Sequence, residues 1–171
     1  MEMGVSLIIS YDPVHEDVAR QSVEAVFSEI GVKHEFLESE YGGVFLLDVD
    51  DPKTAVKELR NLCLENKDIF NWTFHYVPVD KWITSEVKDM RAAVSSVAAG
   101  IGENDKWKLD LTRRHYHQHD DHELIIKLTD VVDAGEVDLE KPEKIIKVEI
   151  IGKHAAVSLL EPDQLLVLGK I

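Results

Sequence analysis

The chain has 171 residues, of which 44% are hydrophobic and 30% are charged, a balance typical of a globular protein of one or two domains. It carries 19 Lys and Arg against 33 Asp and Glu, a formal net charge of −14, which excludes a protein that attracts nucleic acid over its whole surface. No apolar run approaches the roughly 20 residues that span a bilayer, so the sequence excludes a helical membrane protein.

The start of the chain and its single cysteine indicate the cellular compartment. Residues 1–5 lack a basic segment followed by an apolar one, so we predict no secretory signal. Cys63 excludes an internal disulfide and lies in an apolar helical pattern between Leu62 and Leu64. We therefore predict a buried thiol and a reduced, cytoplasmic protein.

Residues 1–80 alternate between strand and helix signals in the order β-α-β-β-α-β. Asp12-Pro13 and Asp51-Pro52 are typical helix starts, in which the aspartate caps and the proline occupies the first helical position. Gly42-Gly43 predicts the turn of a hairpin. The predicted strands cover residues 5–9, 34–38, 44–49 and 70–79. This order predicts a ferredoxin-like N-terminal domain.

Residues 81–171 predict a second domain of mixed helix and strand. One helix is expected to begin at Thr84 or Ser85, and another at Asp120, which has Glu123 at capping-box spacing. Gly152-Lys153-His154 is expected to form a tight turn between two apolar strands. The predicted strands cover residues 107–111, 145–151, 155–160 and 165–168. The fold class is therefore α/β, in its α+β form.

The sequence contains no recognisable catalytic signature. It has no glycine-rich phosphate loop, no cysteine-histidine metal spacing and no Gly-x-Ser-x-Gly segment. Its carboxylates do not form a pair that separates an acid from a base. We therefore predict a protein that is not an enzyme and that takes no cofactor and no small-molecule substrate.

Four histidines fall within eight residues, at His115, His117, His119 and His122. In an extended segment the first three project to one side, so they could bind Zn²⁺ and, with Asp121, form a metal-dependent hydrolase. They could equally be solvated at a helix start, or stack on RNA bases and contact phosphates. The three interpretations remain open, and we assign no metal ligand.

Arg113 and Arg114 end an amphipathic strand, where adjacent side chains point to opposite faces. Residues 106–119 hold four Lys and Arg against one Asp, a local balance of +3. Guanidinium groups match phosphate oxygens, but they also form ordinary surface ion pairs with carboxylates. The residues alone leave both possibilities open.

The second domain resembles the THUMP domain in a series of segments that occur in the family's order. The matching segments are Trp107 to His115, Val137 to Glu143, Ile145 to Gly152 and Val157 to Asp163. The resemblance covers about residues 84–168, and the whole chain is most similar to stand-alone archaeal THUMP proteins. These are related to the eukaryotic adaptor for tRNA cytidine acetylation.

The resemblance implies a function in tRNA modification. THUMP domains and their ferredoxin-like neighbours engage the acceptor stem and 3′ end of tRNA and present a distant nucleotide to a modifying enzyme. A stand-alone member implies a non-catalytic adaptor that serves a separate enzyme, here an acetyltransferase that forms N4-acetylcytidine. The alternative is an acidic protein–protein interaction module without RNA binding. The expected RNA contacts are Lys108, Arg113, Arg114, His115, Lys144, Lys147 and Lys153.

Overall fold

The computed structural model describes residues 4–171, so the start on which the predicted absence of a secretory signal depends lies partly outside it. The chain divides into two compact units. The first contains the described residues up to Val79 together with Asp163–Ile171, and the second is Asp80–Pro162. Within the described residues, no helix has the length and apolar character that crossing a membrane requires.

The chain forms ten strands and four α-helices in the residues described. In order they are β1 (Leu7–Tyr11), α1 (Glu16–Ile30), β2 (His34–Leu37), β3 (Val44–Val49), α2 (Pro52–Glu65), β4 (Thr73–Pro78), β5 (Lys81–Thr84), α3 (Val87–Ala98), β6 (Lys106–Arg114), α4 (Asp121–Thr129), β7 (Glu136–Val137), β8 (Lys144–Ile151), β9 (His154–Leu160) and β10 (Leu166–Val167). Short 3-10 helices lie at Pro13–His15, Lys67–Ile69, Pro162–Gln164 and Leu168–Lys170.

The first unit is an antiparallel sheet in the order β10-β4-β1-β3-β2. The order β4-β1-β3-β2, with a helix after β1 and another after β3, is the ferredoxin-like arrangement that the sequence predicts. Alternate residues of β1, β3 and β4 pack against one face of α1 and α2 to form its core. Cys63 is buried in this core, as predicted.

The structure confirms that Asp12 and Asp51 cap the predicted helix starts of the first unit. Asp12 accepts a hydrogen bond from the Val14 N–H at 3.0 Å, and Asp51 accepts one from the Thr54 N–H at 3.4 Å. After Asp12 the chain first forms a 3-10 turn, so α1 itself begins at Glu16. Each aspartate satisfies a backbone donor that the helix cannot.

The C-terminal segment returns to the first unit. In β10, Leu166 lies opposite Tyr76 and Val167 opposite His75, and Leu166 and Leu168 are buried in the first unit's core. Residues 163–171, which the sequence analysis placed in the second domain, therefore pack with the first. A two-residue strand has no periodicity of its own, and its partner lies about ninety positions earlier in the sequence, so only the folded chain reveals the pairing.

The second unit is a mixed sheet in the order β5-β9-β8-β6-β7, in which β6 runs parallel to β8 and to β7. Helices α3 and α4 pack on one face, and their apolar residues form a core with alternate residues of β6, β8 and β9. The sequence does not predict β5, which is four residues long, or β7, which is two. It also placed the start of α3 too early, because the N-cap is Glu86 and it makes no side-chain capping bond.

The two residues expected to cap α3 form other hydrogen bonds instead. The Ser85 hydroxyl donates to the Gly152 carbonyl at 2.8 Å, and Thr84 bonds to Asp89. The expected start of α4 is confirmed, since Asp120 accepts a hydrogen bond from the Glu123 N–H at 2.8 Å.

Candidate nucleic-acid interface

The two arginines of β6 lie on opposite faces of the second sheet, as the sequence predicts. Trp107, Leu109 and Leu111 pack toward the helices, and Arg113 continues this series. Arg114 points to the other face, where its charge acts on the buried Glu149. The two guanidinium groups therefore have different surroundings.

Arg113 anchors the histidine-rich segment that follows β6. Its Nη1 donates to the His119 carbonyl, and its Nε lies 2.9 Å from Asp121 Oδ1. About a third of the Arg113 side chain is exposed. The charge of Arg113 is therefore paired with a carboxylate. Its guanidinium group holds the histidine-rich segment in place and is less available to a phosphate.

The histidines themselves are dispersed. His119 Nδ1 lies 2.7 Å from Glu123 Oε1, which Lys127 Nζ also approaches at 2.9 Å. Hydrogen bonds from Lys127 and His119 lower the pKa of Glu123. His117 and His122 are exposed. In residues 4–171 no three or more His, Cys, Asp or Glu side chains come together where they could hold a metal ion.

Arg114 is the last residue of β6 and lies at the end of the sheet that carries the turn between β8 and β9. It is opposite Ile151 in the register, and its carbonyl accepts a hydrogen bond from the Gly152 N–H at 2.8 Å. Lys153 and His154 are exposed in this turn. His115 follows Arg114 with a backbone φ of +55°, so the chain turns sharply there.

An aromatic pair completes this edge. The ring of Trp82 in β5 stacks on the ring of His154, with 5.2 Å between centroids and 8° between planes. A backbone hydrogen bond holds the β8–β9 turn in place, because the Ser85 N–H donates to the Lys153 carbonyl at 2.9 Å. We define the turn-end cluster as Trp82, Arg114, His115, Lys153 and His154.

The turn-end cluster combines two chemistries that nucleic acids require. Lys153 and Arg114 supply positive charge for phosphate oxygens, and the Trp82–His154 pair offers aromatic surface on which a base can stack. Arg114 Nε is buried and has no hydrogen-bond partner among the described residues. Glu149 near it is buried, and desolvation raises the pKa of this carboxyl while the charges of Lys147 and Arg114 lower it.

Lys147, which the sequence analysis assigned to RNA contact, is only 5% exposed. Its Nζ lies 2.9 Å from Thr112 Oγ1, 3.4 Å from Glu149 Oε1 and 3.5 Å from Asp110 Oδ2. The ammonium is therefore satisfied inside the protein. Successive residues of a strand point to opposite faces of the sheet, and the sequence does not show that the face on which Lys147 lies is buried.

Lys108 and Lys144 lie toward the opposite end of the sheet. Lys144 is opposite Trp107, and Lys108 is opposite Ile145. Six residues separate Lys108 from Arg114 along β6, which corresponds to about 20 Å in an extended strand. The seven residues predicted for RNA contact therefore do not form one patch. Three of them, Arg114, His115 and Lys153, meet at the turn end.

Trp82 and His154 were missed by the sequence analysis. Their proximity depends on the pairing of β5 with β9, in which Trp82 lies opposite Ala156 and Thr84 opposite His154. These residues are about seventy positions apart, and no local pattern connects them. The one available signal was a tryptophan directly before a helix start.

The family comparison matches this part of the chain. Residues 85–160 match the model of the THUMP domain, and this range lies within the second unit. The THUMP resemblance predicted over about residues 84–168 is thereby confirmed over residues 85–160. No curated protein matches the chain.

Solved structures share the fold of nearly the whole chain. PH1313 from Pyrococcus horikoshii Ot3 superposes with a TM-score of 0.62 at 15% identity over 91% of this chain and 54% of that one. TrmN from Thermus thermophilus gives 0.57 at 13% identity over 90% and 44%. A 4-thiouridine synthetase solved with RNA and bound ATP gives 0.50 at 16% identity over 92% and 42%. The chain thus spans about half the length of these proteins.

Proposed function

We propose, from the THUMP domain that residues 85–160 form, that this chain binds tRNA and acts in tRNA modification. The observation that carries the proposal is the turn-end cluster, which places positive charge and stacked aromatic rings at one edge of that domain. The similarity in fold to a 4-thiouridine synthetase solved with RNA supports it.

The turn-end cluster accounts for RNA binding by an acidic chain. Lys153 and Arg114 contact backbone phosphates, and an unpaired base stacks on the exposed His154 above Trp82. The second unit holds 12 Lys and Arg against 17 Asp and Glu, a balance of −5. Contact is therefore confined to a small area, and the affinity of the chain alone is modest.

The role that we propose is that of a non-catalytic adaptor of the stand-alone archaeal THUMP type. It holds the acceptor stem and 3′ end of tRNA for a separate enzyme, an acetyltransferase that forms N4-acetylcytidine. The absence of catalytic signatures from the sequence and the resemblance of its segments to the family support this role. A second contact through the enzyme would add to the modest affinity of the first through effective concentration.

A matched pair of charge reversals tests the RNA site. Lys153→Glu alters the turn-end cluster, and Lys141→Glu makes the same change at an exposed position near the start of β8. We expect Lys153→Glu to weaken the binding of transcribed tRNA by about tenfold and to lower the salt dependence by about one phosphate contact. Lys141→Glu should bind like the wild type. Fluorescence anisotropy measures both, and equal losses in the two variants would contradict the assignment.

The adaptor role is tested in the cell. Nucleoside mass spectrometry of tRNA from a deletion strain should show the loss of N4-acetylcytidine, with other modified nucleosides unchanged. Unchanged N4-acetylcytidine would refute the proposed pathway.

One observation favours a second candidate function. The described residues of the first unit hold 7 Lys and Arg against 15 Asp and Glu, a balance of −8, which suits a protein that binds a basic protein surface and no RNA. The anisotropy titration separates the candidates, because this alternative predicts no tRNA binding even at low salt.

A further inference from the structure

The first unit exposes an apolar surface where α1 and β4 begin. Val14 is 84% exposed, Trp72 45%, Phe74 44% and Val18 41%, and these are four of the nine large exposed hydrophobic side chains in the described chain. Val14 lies in the 3-10 turn before α1, and Val18 lies four residues later in the first turn of α1. Together with His15, whose ring contacts Trp72, these four residues form what we call the Trp72 patch: Val14, His15, Val18, Trp72 and Phe74. Such concentration of exposed apolar side chains is typical of an interaction site.

The backbone holds Trp72 in an unusual conformation to make this surface. Its φ is +61°, which is unfavourable for a bulky residue. The His15 ring lies parallel to the indole, with 3.8 Å between centroids and 5° between planes, and the Asp12 N–H donates to the Trp72 carbonyl at 2.9 Å. Thr73 is buried, whereas Trp72 and Phe74 on either side of it are exposed. Backbone strain that serves an exposed ring is typical of functional positions.

The charge around the patch indicates what kind of surface it meets. Residues 12–19 contain Asp12, Glu16 and Asp17 and no Lys or Arg. The next basic residue, Arg20, stacks its guanidinium over Phe36 at 4.3 Å and Phe45 at 5.0 Å. The described residues of the unit have a balance of −8. This field repels RNA and attracts a protein surface rich in Lys and Arg.

We propose that the Trp72 patch docks a protein whose contact surface has an apolar centre and a rim of Lys and Arg, and that this protein is the RNA-modifying enzyme. The inference rests on the proposed function. An enzyme that acts on tRNA needs positive surface near its active site, because its substrate is a polyanion. The two units then divide the work, with the second binding RNA and the first binding the enzyme.

Trp72 is the anchor of this surface, since tryptophan dominates the binding energy of many interfaces. Trp72→Asn tests it, because asparagine tolerates the left-handed backbone conformation while the ring is lost. Phe74→Ser is a second variant that leaves the strained position untouched. The matched control is Leu64→Ser, which removes a 67% exposed leucine from α2 in the same unit.

The experiment uses the full chain, with the tRNA cytidine acetyltransferase of the same organism as the probe. Isothermal titration calorimetry should show binding that Trp72→Asn weakens by at least about tenfold and Phe74→Ser weakens as well. Leu64→Ser should leave it unchanged. Wild-type binding should also weaken as NaCl rises from about 0.1 M to about 0.5 M, because the rim is charged.

Three results would overturn the docking surface. These are no binding of the enzyme by the wild type, wild-type affinity in both patch variants, or equal losses in the control.

If Trp72→Asn instead weakens tRNA binding, the patch stacks on bases. If it converts a wild-type dimer to a monomer in sedimentation, the occupant is a second copy. Either finding also refutes the proposal. A tRNA titration of the same preparations shows separately whether the proposed RNA binding stands.

Discussion

At the scale of single residues, neighbouring side chains of the same type have separate roles. Arg113 bonds to the His119 carbonyl and lies beside Asp121, whereas Arg114 lies at the turn-end cluster with its Nε unpaired among the described residues. The sequence predicts their opposite directions from strand geometry. It does not predict which of them is committed to the protein, because that depends on where the following loop folds back.

Arg113 should therefore contribute to stability more than to RNA binding. Arg113→Ala removes the anchor of the segment between β6 and α4, and we expect the free energy of unfolding to fall by about 1–2 kcal/mol, a modest value because the side chain is partly exposed. Urea denaturation measures this change. Binding of tRNA should remain within about threefold of the wild type. A variant with normal stability and no tRNA binding would show that Arg113 is instead a phosphate contact.

Glu149 gives the protein a defined pH dependence. Burial raises the pKa of this carboxyl, and the nearby Lys147 and Arg114 oppose the rise without cancelling it. When the folded-state pKa of an acid is raised, ionisation costs the folded state free energy. The wild type should therefore lose stability relative to Glu149→Gln as the pH rises from the ordinary carboxyl range through the raised pKa. The difference should be smallest at the acidic end.

Urea denaturation of both proteins between about pH 4 and about pH 8 measures this difference. If the wild type instead gains on the glutamine variant as pH rises, the ion pair with Lys147 outweighs burial. That result would contradict a raised pKa for Glu149.

At the scale of elements, the sequence predicts the long periodic segments and the short strand over residues 165–168, but not β5 or β7. The helices after Asp12 and Asp51 and the strand over residues 44–49 follow from caps and apolar spacing, and the structure places them there. The strands β5 and β7 have four and two residues and pair with distant strands, so short local patterns do not identify them. The strand β10 lies within the predicted residues 165–168, but its pairing with β4 is not predicted. The missing β5 also explains why Trp82 was absent from the predicted site.

Gly135, directly before β7, is a position that only glycine fits without strain. Its φ is +77°, and an added Cβ would lie 2.8 Å from the Asp105 carbonyl oxygen and from Trp107 Cδ1. Gly135→Ala should therefore lower the free energy of unfolding by roughly 2–4 kcal/mol, through both strain and overpacking. Gly169→Ala is the control, because nothing lies within 4 Å of its Cβ position. Equal melting temperatures for the two variants would contradict this prediction.

At the scale of the molecule, the net charge of −14 conceals a division between the two units. The first has the larger acidic excess and the Trp72 patch, while the second has the THUMP domain and the turn-end cluster. Composition alone indicated that RNA contact must be local. Arg114, His115 and Lys153 were identifiable individually as basic residues in matched segments. Their meeting at one edge required the pairing of β6, β8 and β9.

The most direct test of RNA binding at the turn-end cluster is ultraviolet cross-linking of the chain to transcribed tRNA, followed by mass spectrometry of the nucleotide-bearing peptides. The two units offer comparable aromatic targets, because Trp82 belongs to the turn-end cluster and Trp72 to the Trp72 patch. We predict adducts on peptides that contain Trp82, His115 or His154, and none on the peptide that contains Trp72. Adducts confined to the first unit would contradict RNA binding at the turn end of the THUMP domain.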